Sequence, residues 1–141
     1  MCAPACVARA RQFLRFGIVG VAGFVVDASV LYALLSWSSA GFYLGRLGSY
    51  LAAATSTWYL NRTFTFADHA RQHAVRQWAR FLAVNTIGGA VNYAVYSGFV
   101  LHWPREPWSP LIGVAGGSLA GMVVNFTVSR RLVFPPATPP V

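Results

Sequence analysis

Four long apolar segments take up most of this sequence and limit what it can fold into. They run approximately from Phe16 to Trp37, Phe42 to Leu60, Phe81 to Leu101 and Pro110 to Val128. A helix needs about 20 mostly apolar residues to cross the hydrocarbon core of a bilayer. Hydrophobic residues make up 56% of the 141 residues and charged residues only 10%, which leaves little polar surface for a soluble domain. The sequence therefore predicts an all-α integral membrane protein with four transmembrane helices.

The arginines predict how these helices are oriented. The chain has no lysine, and positive charge collects on the cytoplasmic side of membrane proteins. Two of the eleven cationic residues, Arg46 and Arg105, lie at the far ends of the apolar segments. The other nine lie before the first segment, between the second and third, or after the fourth: Arg9, Arg11, Arg15, Arg62, Arg71, Arg76, Arg80, Arg130 and Arg131. We therefore expect a multi-pass protein of the cytoplasmic (inner) membrane, with both termini in the cytoplasm.

An internal repeat divides the chain. RFGIVGVAGFVVDASVLY, from Arg15, matches RFLAVNTIGGAVNYAVYS, from Arg80, and TWYLNRTFTF at 57–66 matches NFTVSRRLVF at 125–134. The two repeats have the same orientation because each begins and ends on the cytoplasmic side. We therefore predict one membrane domain, residues 1–141, made of two helical-hairpin repeats, about 13–66 and about 78–134, with tails at 1–12 and 135–141.

Small or polar residues recur every fourth position in the second and fourth segments. Residues four apart lie on one helical face, and small ones let two helices pack closely in lipid. We predict a helix contact, made either within one chain or in a homo-oligomer. The stripes are Gly45, Ser49, Ala53, Thr57 and Asn61, and Gly113, Gly117, Gly121, Asn125 and Ser129.

Asp27 is the only acidic residue in the four segments, and Asn92 occupies the same place in the second repeat. Each comes twelve residues after Arg15 or Arg80, which places it about 18 Å along the helix, near the middle of the membrane. A carboxyl group there must be protonated, paired or hydrated. Two interpretations are open: Asp27 and Asn92 line a transport path, or Asp27 makes a hydrogen bond between helices, to Asn92 or Ser49.

Arginine and aromatic residues recur where the second and fourth segments end. Trp58 precedes Arg62, and Phe126 precedes Arg130, at the same spacing. A guanidinium group can donate two parallel hydrogen bonds to a phosphate, although an arginine at the interface can also extend to water without binding a ligand. We predict a site for a lipid phosphate or substrate at the cytoplasmic interface, built from Arg62, Arg130, Asn61, Asn125, Arg15, Arg80 and Thr57. Thr57 stands where the second repeat has Asn125, so the two halves of the site are not equivalent.

These motifs together resemble the GtrA-like family of small four-helix membrane proteins. The residues that carry the resemblance are RFGIVG with Gly23 and Asp27, NRTFTF, RFLAVN and NFTVSRRLVF. The resemblance implies a role in the synthesis of cell-surface polysaccharides: translocation of a polyprenyl-phosphate-linked sugar, such as undecaprenyl-phosphate glucose or a related sugar lipid, for use by a membrane-bound glycosyltransferase. The motif positions that it singles out are Arg15, Asp27, Asn61, Arg62, Arg80, Asn92, Asn125 and Arg130.

Two other functions fit the same composition. A membrane adaptor that holds a glycosyltransferase needs no soluble domain, and a small proton-coupled exporter needs one membrane acid such as Asp27. We expect no enzymatic activity, cofactor or metal, because paired carboxylates and an activated nucleophile are absent and, beyond Asp68, His69 and His73 have no evident third ligand. We expect no nucleic-acid partner, because the arginines line one membrane face, where anionic lipid attracts them.

Overall fold

The computed structural model describes residues 4–37, 41–69, 72–103 and 109–136, and its elements in these ranges are all helical. Helix α1 is Pro4–Trp37, α2 is Gly41–Leu60, α3 is Ala74–His102 and α4 is Ser109–Val128. Two short π-helical segments follow: the first π turn, Asn61–Thr65, continues α2, and the second π turn, Ser129–Val133, continues α4. The helical fold class is as predicted.

The bounds of α2 and α4 agree with the predicted segments, whereas α1 and α3 begin earlier than the apolar segments inside them. α1 begins at Pro4 rather than Phe16, and α3 at Ala74 rather than Phe81. Hydropathy marks only the apolar part of a helix, but alanine, arginine and glutamine are also good helix formers and extend the hydrogen bonding. Much of the region predicted as an N-terminal tail is therefore the first turns of α1.

The chain forms two compact units, residues 1–69 and 70–141. In the first, α1 packs against α2 and the first π turn; in the second, α3 packs against α4 and the second π turn. The boundary between the units falls between the two predicted repeats. Each unit is thus a helical hairpin that ends in a π turn.

In the first hairpin, the stripe of small residues on α2 faces α1. Gly45 lies against Leu31 and Leu35, and a Cβ atom there would come within 3.3 Å of the Leu35 side chain. Ser49 and Ala54 are buried further along α2. The small side chains thus let α1 approach α2 closely.

In the second hairpin, the stripe on α4 brings two backbones into contact. A Cβ atom on Gly117 would lie 2.5 Å from the Asn92 carbonyl oxygen, and one on Gly121 would lie 2.7 Å from the Gly88 carbonyl oxygen. Gly113 meets Tyr96 in the same way. The predicted helix contact is confirmed, and these glycines make it inside one chain.

The polarity of the surface is the reverse of that in a soluble protein. Large apolar side chains such as Leu14, Ile18 and Phe24 are exposed, while Gln77 and Ser129 are fully buried. Among the described residues, two helical stretches are long and apolar enough to cross a membrane: Cys6–Trp37 and Ile112–Val133. Only 11% of the most apolar part of the first, and 22% of that of the second, is buried. A core helix of a soluble domain would be mostly enclosed. The protein is a helical membrane protein; the predicted number and direction of its spans stay predictions.

Candidate functional site

Each hairpin ends in a π turn of the same construction. The Phe66 N–H donates to the Asn61 carbonyl oxygen at 2.8 Å, and the Phe134 N–H donates to the Ser129 carbonyl oxygen at the same distance. Such i→i+5 turns are rare and occur frequently at functional sites. The corresponding arginines, Arg62 and Arg130, are the second residues of these turns.

A buried phenylalanine anchors each π turn to the first helix of its hairpin. The Phe66 ring meets the Phe16 ring edge-on with centroids 6.2 Å apart, and Phe134 meets Phe81 at the same separation. All four rings are buried. The closing phenylalanines of the repeated motif therefore hold the end of the second helix against the first.

A glutamine side chain also binds each π turn. Gln12 Nε2 donates to the Thr65 carbonyl oxygen at 3.4 Å, and Gln77 Nε2 donates to the Val133 carbonyl oxygen at 3.0 Å. A π turn leaves carbonyl groups without the usual helical donor, and each glutamine supplies one. These glutamines were not predicted from the sequence, although the 65-residue offset that pairs Arg15 with Arg80 also pairs Gln12 with Gln77.

In the first hairpin, Arg15 and Arg62 both flank the π turn. Arg15 donates to the Phe64 carbonyl oxygen at 3.5 Å, and its guanidinium lies 4.8 Å from the Phe64 ring centroid. The Arg62 guanidinium lies 5.4 Å from the Trp58 ring centroid. The Trp58 indole N–H is buried and has no hydrogen-bond partner in the described part of the chain. Two predicted arginines are thus brought to one end of the hairpin, together with an unused donor.

In the second hairpin the corresponding arginines are arranged differently. Arg80 donates to Gln72 Oε1 at 3.0 Å instead of to the π turn. Arg130 Nε is buried and makes no hydrogen bond to any described residue. The two ends are therefore similar in backbone and different in side-chain contacts.

Asn61 and Ser129 occupy corresponding positions at the start of the two π turns. Asn61 is 2% exposed and Ser129 is 0% exposed. Within the described ranges, Asn61 Oδ1 and Ser129 Oγ make no hydrogen bond. Leaving such a buried polar group unpaired costs about 1–3 kcal/mol, and in both hairpins the unpaired atom belongs to the residue just before the arginine.

Thr57 and Asn125 are a further corresponding pair, one turn before Asn61 and Ser129. Thr57 packs on Gly23, and its hydroxyl donates to the Ala53 carbonyl oxygen at 2.9 Å. Asn125 packs on Gly88, where a Cβ atom would overlap its amide group, and donates to Asn85 Oδ1 at 3.5 Å. Both residues thus contact the first helix of their hairpin, and Asn125 keeps its buried Oδ1 unpaired within the described residues.

Asp27 accepts from Arg46, with Oδ2 2.5 Å from Nη1. The side chain of Asp27 is 19% exposed and that of Arg46 is 58% exposed. Ser49 lies beside the carboxyl group and donates to the Arg46 carbonyl oxygen at 3.1 Å. Ser49 and Asn92 were the partners predicted from the sequence, in which Arg46 served only to predict orientation. Arg46 is the partner of Asp27 because its long side chain can extend along the helices to the carboxyl group.

Asn92 has a different role in the second hairpin. Its carbonyl and amide oxygens lie against Gly117, at 2.5 and 2.7 Å from the position of a Cβ atom. The position that corresponds to Arg46 holds Val114. The ion pair of the first hairpin therefore has no counterpart in the second.

Comparison with known proteins agrees with this architecture. No curated protein matches the chain. The family model described as "GtrA/DPMS, transmembrane domain" matches residues 15–134, from the first arginine of the repeated opening to the phenylalanine that closes the second π turn. This range includes both hairpins and all nine predicted site residues, so the chain belongs to the GtrA/DPMS transmembrane domain family.

Proposed function

We propose that the protein translocates a polyprenyl-phosphate-linked sugar, such as undecaprenyl-phosphate glucose or a related sugar lipid, across the cytoplasmic membrane. The sugar lipid then serves a glycosyltransferase in the synthesis of cell-surface polysaccharide. The observation that carries the proposal is the pair of π turns, in each of which an arginine directly follows a residue whose buried polar atom has no partner among the described residues. The chain that holds them matches the GtrA/DPMS family model over residues 15–134.

The chemistry of the π turns suits this substrate. Arg62, Arg15 and the Trp58 indole N–H in the first hairpin offer donors to a phosphate oxygen, and Arg130 offers its Nε–H in the second. Hydrogen bonds between a guanidinium and a phosphate are among the stronger ones in proteins. The free acceptors on Asn61 and Ser129 suit sugar hydroxyls, which donate.

The proposal includes four membrane spans with both termini in the cytoplasm. Arginine distribution supports it, since nine of the eleven would then lie on the cytoplasmic side. The π turns would lie at the cytoplasmic interface, where the sugar lipid is made, and Asp27 and Asn92 would lie deeper along the path.

A membrane adaptor for the glycosyltransferase is the second candidate. An adaptor has no evident need for an acid inside the membrane, which is an argument against this function. The ion pair with Arg46 weakens that argument, because it gives Asp27 a structural role. The same pair weighs against a proton-coupled exporter, because it engages the carboxyl group that would have to exchange protons.

Binding by the two arginines tests the proposal. We expect Arg62→Gln and Arg130→Gln each to weaken binding of a short-chain prenyl-phosphate hexose by about tenfold to a hundredfold, the effect of losing a charge-assisted hydrogen bond of about 1.5–3 kcal/mol. Affinity is measured with purified protein in phosphatidylcholine nanodiscs. Arg76→Gln, an exposed arginine on α3, is the control for loss of charge. Unchanged affinity in both variants would rule out the site.

A further inference from the structure

The ion pair of the first hairpin lies far from the π turn along the same helix. Arg46 and Arg62 are sixteen residues apart on α2 and its π turn, which corresponds to about 24 Å of helix. The hydrocarbon core is about 30 Å thick. Arg46 is the sixth residue of α2 and therefore lies about 7.5 Å from the start of that helix.

Arg46 is exposed although it is paired with Asp27. More than half of its side chain is exposed, whereas that of Asp27 is mostly covered. One carboxylate oxygen, Asp27 Oδ1, is buried and has no partner among the described residues, so the pair uses a single oxygen. A guanidinium can bind two oxygens at once, and the exposure of Arg46 lets a second anion reach the guanidinium that Asp27 holds through one oxygen.

Two polar side chains follow Arg46 on α2, and with it they form one face of that helix. Ser49 and Tyr50 are three and four residues further along, and residues at these spacings are neighbours on a helix surface. Ser49 is 0% exposed, and the Tyr50 hydroxyl is buried without a hydrogen-bond partner in the described ranges. A hydroxyl in this position can donate to a phosphate or accept from a sugar.

We infer that Arg46 forms a second phosphate-binding site at the opposite end of the first hairpin, for which the Asp27 carboxylate is a built-in competitor. Asp27 occupies the guanidinium when no ligand is bound, and the phosphate of the sugar lipid displaces it. The inference rests on the proposed function, since it assigns a release site for the substrate that the π turns bind. A competitor weakens binding at this site, which favours release.

The test uses protein in which both arginines of the π turns have been replaced, so that binding there is weak. In an Arg62→Gln/Arg130→Gln background, residual binding of the short-chain prenyl-phosphate hexose in phosphatidylcholine nanodiscs is measured. We expect Asp27→Asn to tighten this binding about tenfold, if the pair is formed about nine-tenths of the time in the free protein. We expect Arg46→Gln to abolish it. Arg76→Gln, added to the same background, should leave it unchanged.

Arg46→Gln leaves a carboxylate unpaired inside a span and can impair folding. The variant Asp27→Asn/Arg46→Gln avoids this problem, because neither side chain is charged and no carboxylate is left unpaired. It should bind no better than Arg46→Gln, even though Asp27→Asn alone binds more tightly. Residual binding that persists in the double variant, or no tightening in Asp27→Asn, would show that the ion pair is only structural.

A second arm separates the sugar lipid from ordinary anionic lipid. Nanodiscs that contain phosphatidylglycerol should compete weakly, because that headgroup lacks the hexose that the Tyr50 hydroxyl would contact. Equal competition would overturn the assignment to a sugar lipid. Failure of the proposed function itself has a different signature, since wild-type protein would then bind no prenyl-phosphate hexose in either site.

Discussion

At the scale of single residues, the tightest contacts in the second hairpin are made by glycine. Gly117 and Gly121 are close enough to carbonyl oxygens of α3 that a methyl group has no room. Gly89, on α3, differs, because a Cβ atom there would meet no atom of the described chain within 4 Å. The contrast predicts that glycine is required at some helical positions and replaceable at others.

We therefore expect Gly117→Ala and Gly121→Ala to lower the stability of the protein and Gly89→Ala not to. All three substitutions gain the same helix propensity, about 1 kcal/mol, so the difference reports overpacking, which typically costs about 1–3 kcal/mol. Thermal unfolding in detergent measures it. Equal melting temperatures for the three variants would contradict the close packing of α3 on α4.

The contact between Asp27 and Arg46 also depends on single residues, and the sequence did not predict it. Arg46 lies nineteen positions away from Asp27. The prediction of orientation used its charge and not the length of its side chain. The contact depends on the long side chain of Arg46 and on the register of α2 against α1. Neither is visible in a pattern of hydropathy.

At the scale of elements, the sequence predicted the helices well and their ends incompletely. Apolar length located α2 and α4 to within one residue, and spacing of four identified the faces that pack. The π turns were not predicted, because the choice of an i→i+5 hydrogen bond depends on where Phe66 and Phe134 can be buried. In the sequence, the sign of the π turns was that Phe66 and Phe134 follow Arg62 and Arg130 at the same spacing.

The glutamines give the π turns a specific test. Gln77 is 1% exposed and donates to the Val133 carbonyl oxygen. Gln77→Leu should lose about 1–3 kcal/mol of stability by leaving that carbonyl unpaired and should speed hydrogen exchange at the Phe134 amide, which closes the turn. Gln12→Leu removes a longer, less buried bond and should have a smaller effect. Similar exchange rates in wild type and Gln77→Leu would mean that the glutamine does not hold the turn.

At the scale of the whole molecule, the protein is two hairpins with one plan and different side chains. Both have the buried phenylalanine pair, the glutamine and the π turn with its arginine. Only the first has the ion pair of Asp27 with Arg46, and only the second has an asparagine packed on Gly88. The shared plan follows the internal repeat of the sequence, and the two hairpins differ in side-chain contacts rather than in the backbone of their helices.

Translocation in reconstituted vesicles tests the central proposal most directly. Purified wild-type protein is incorporated into phosphatidylcholine vesicles that carry a labelled polyprenyl-phosphate hexose, and a membrane-impermeant reagent reports how much of the label reaches the outer leaflet with time. The account predicts that wild-type protein exposes the label much faster than protein-free vesicles and that Arg62→Gln/Arg130→Gln, although folded, does not. Wild-type vesicles that expose the label no faster than protein-free ones would contradict it and would favour the adaptor.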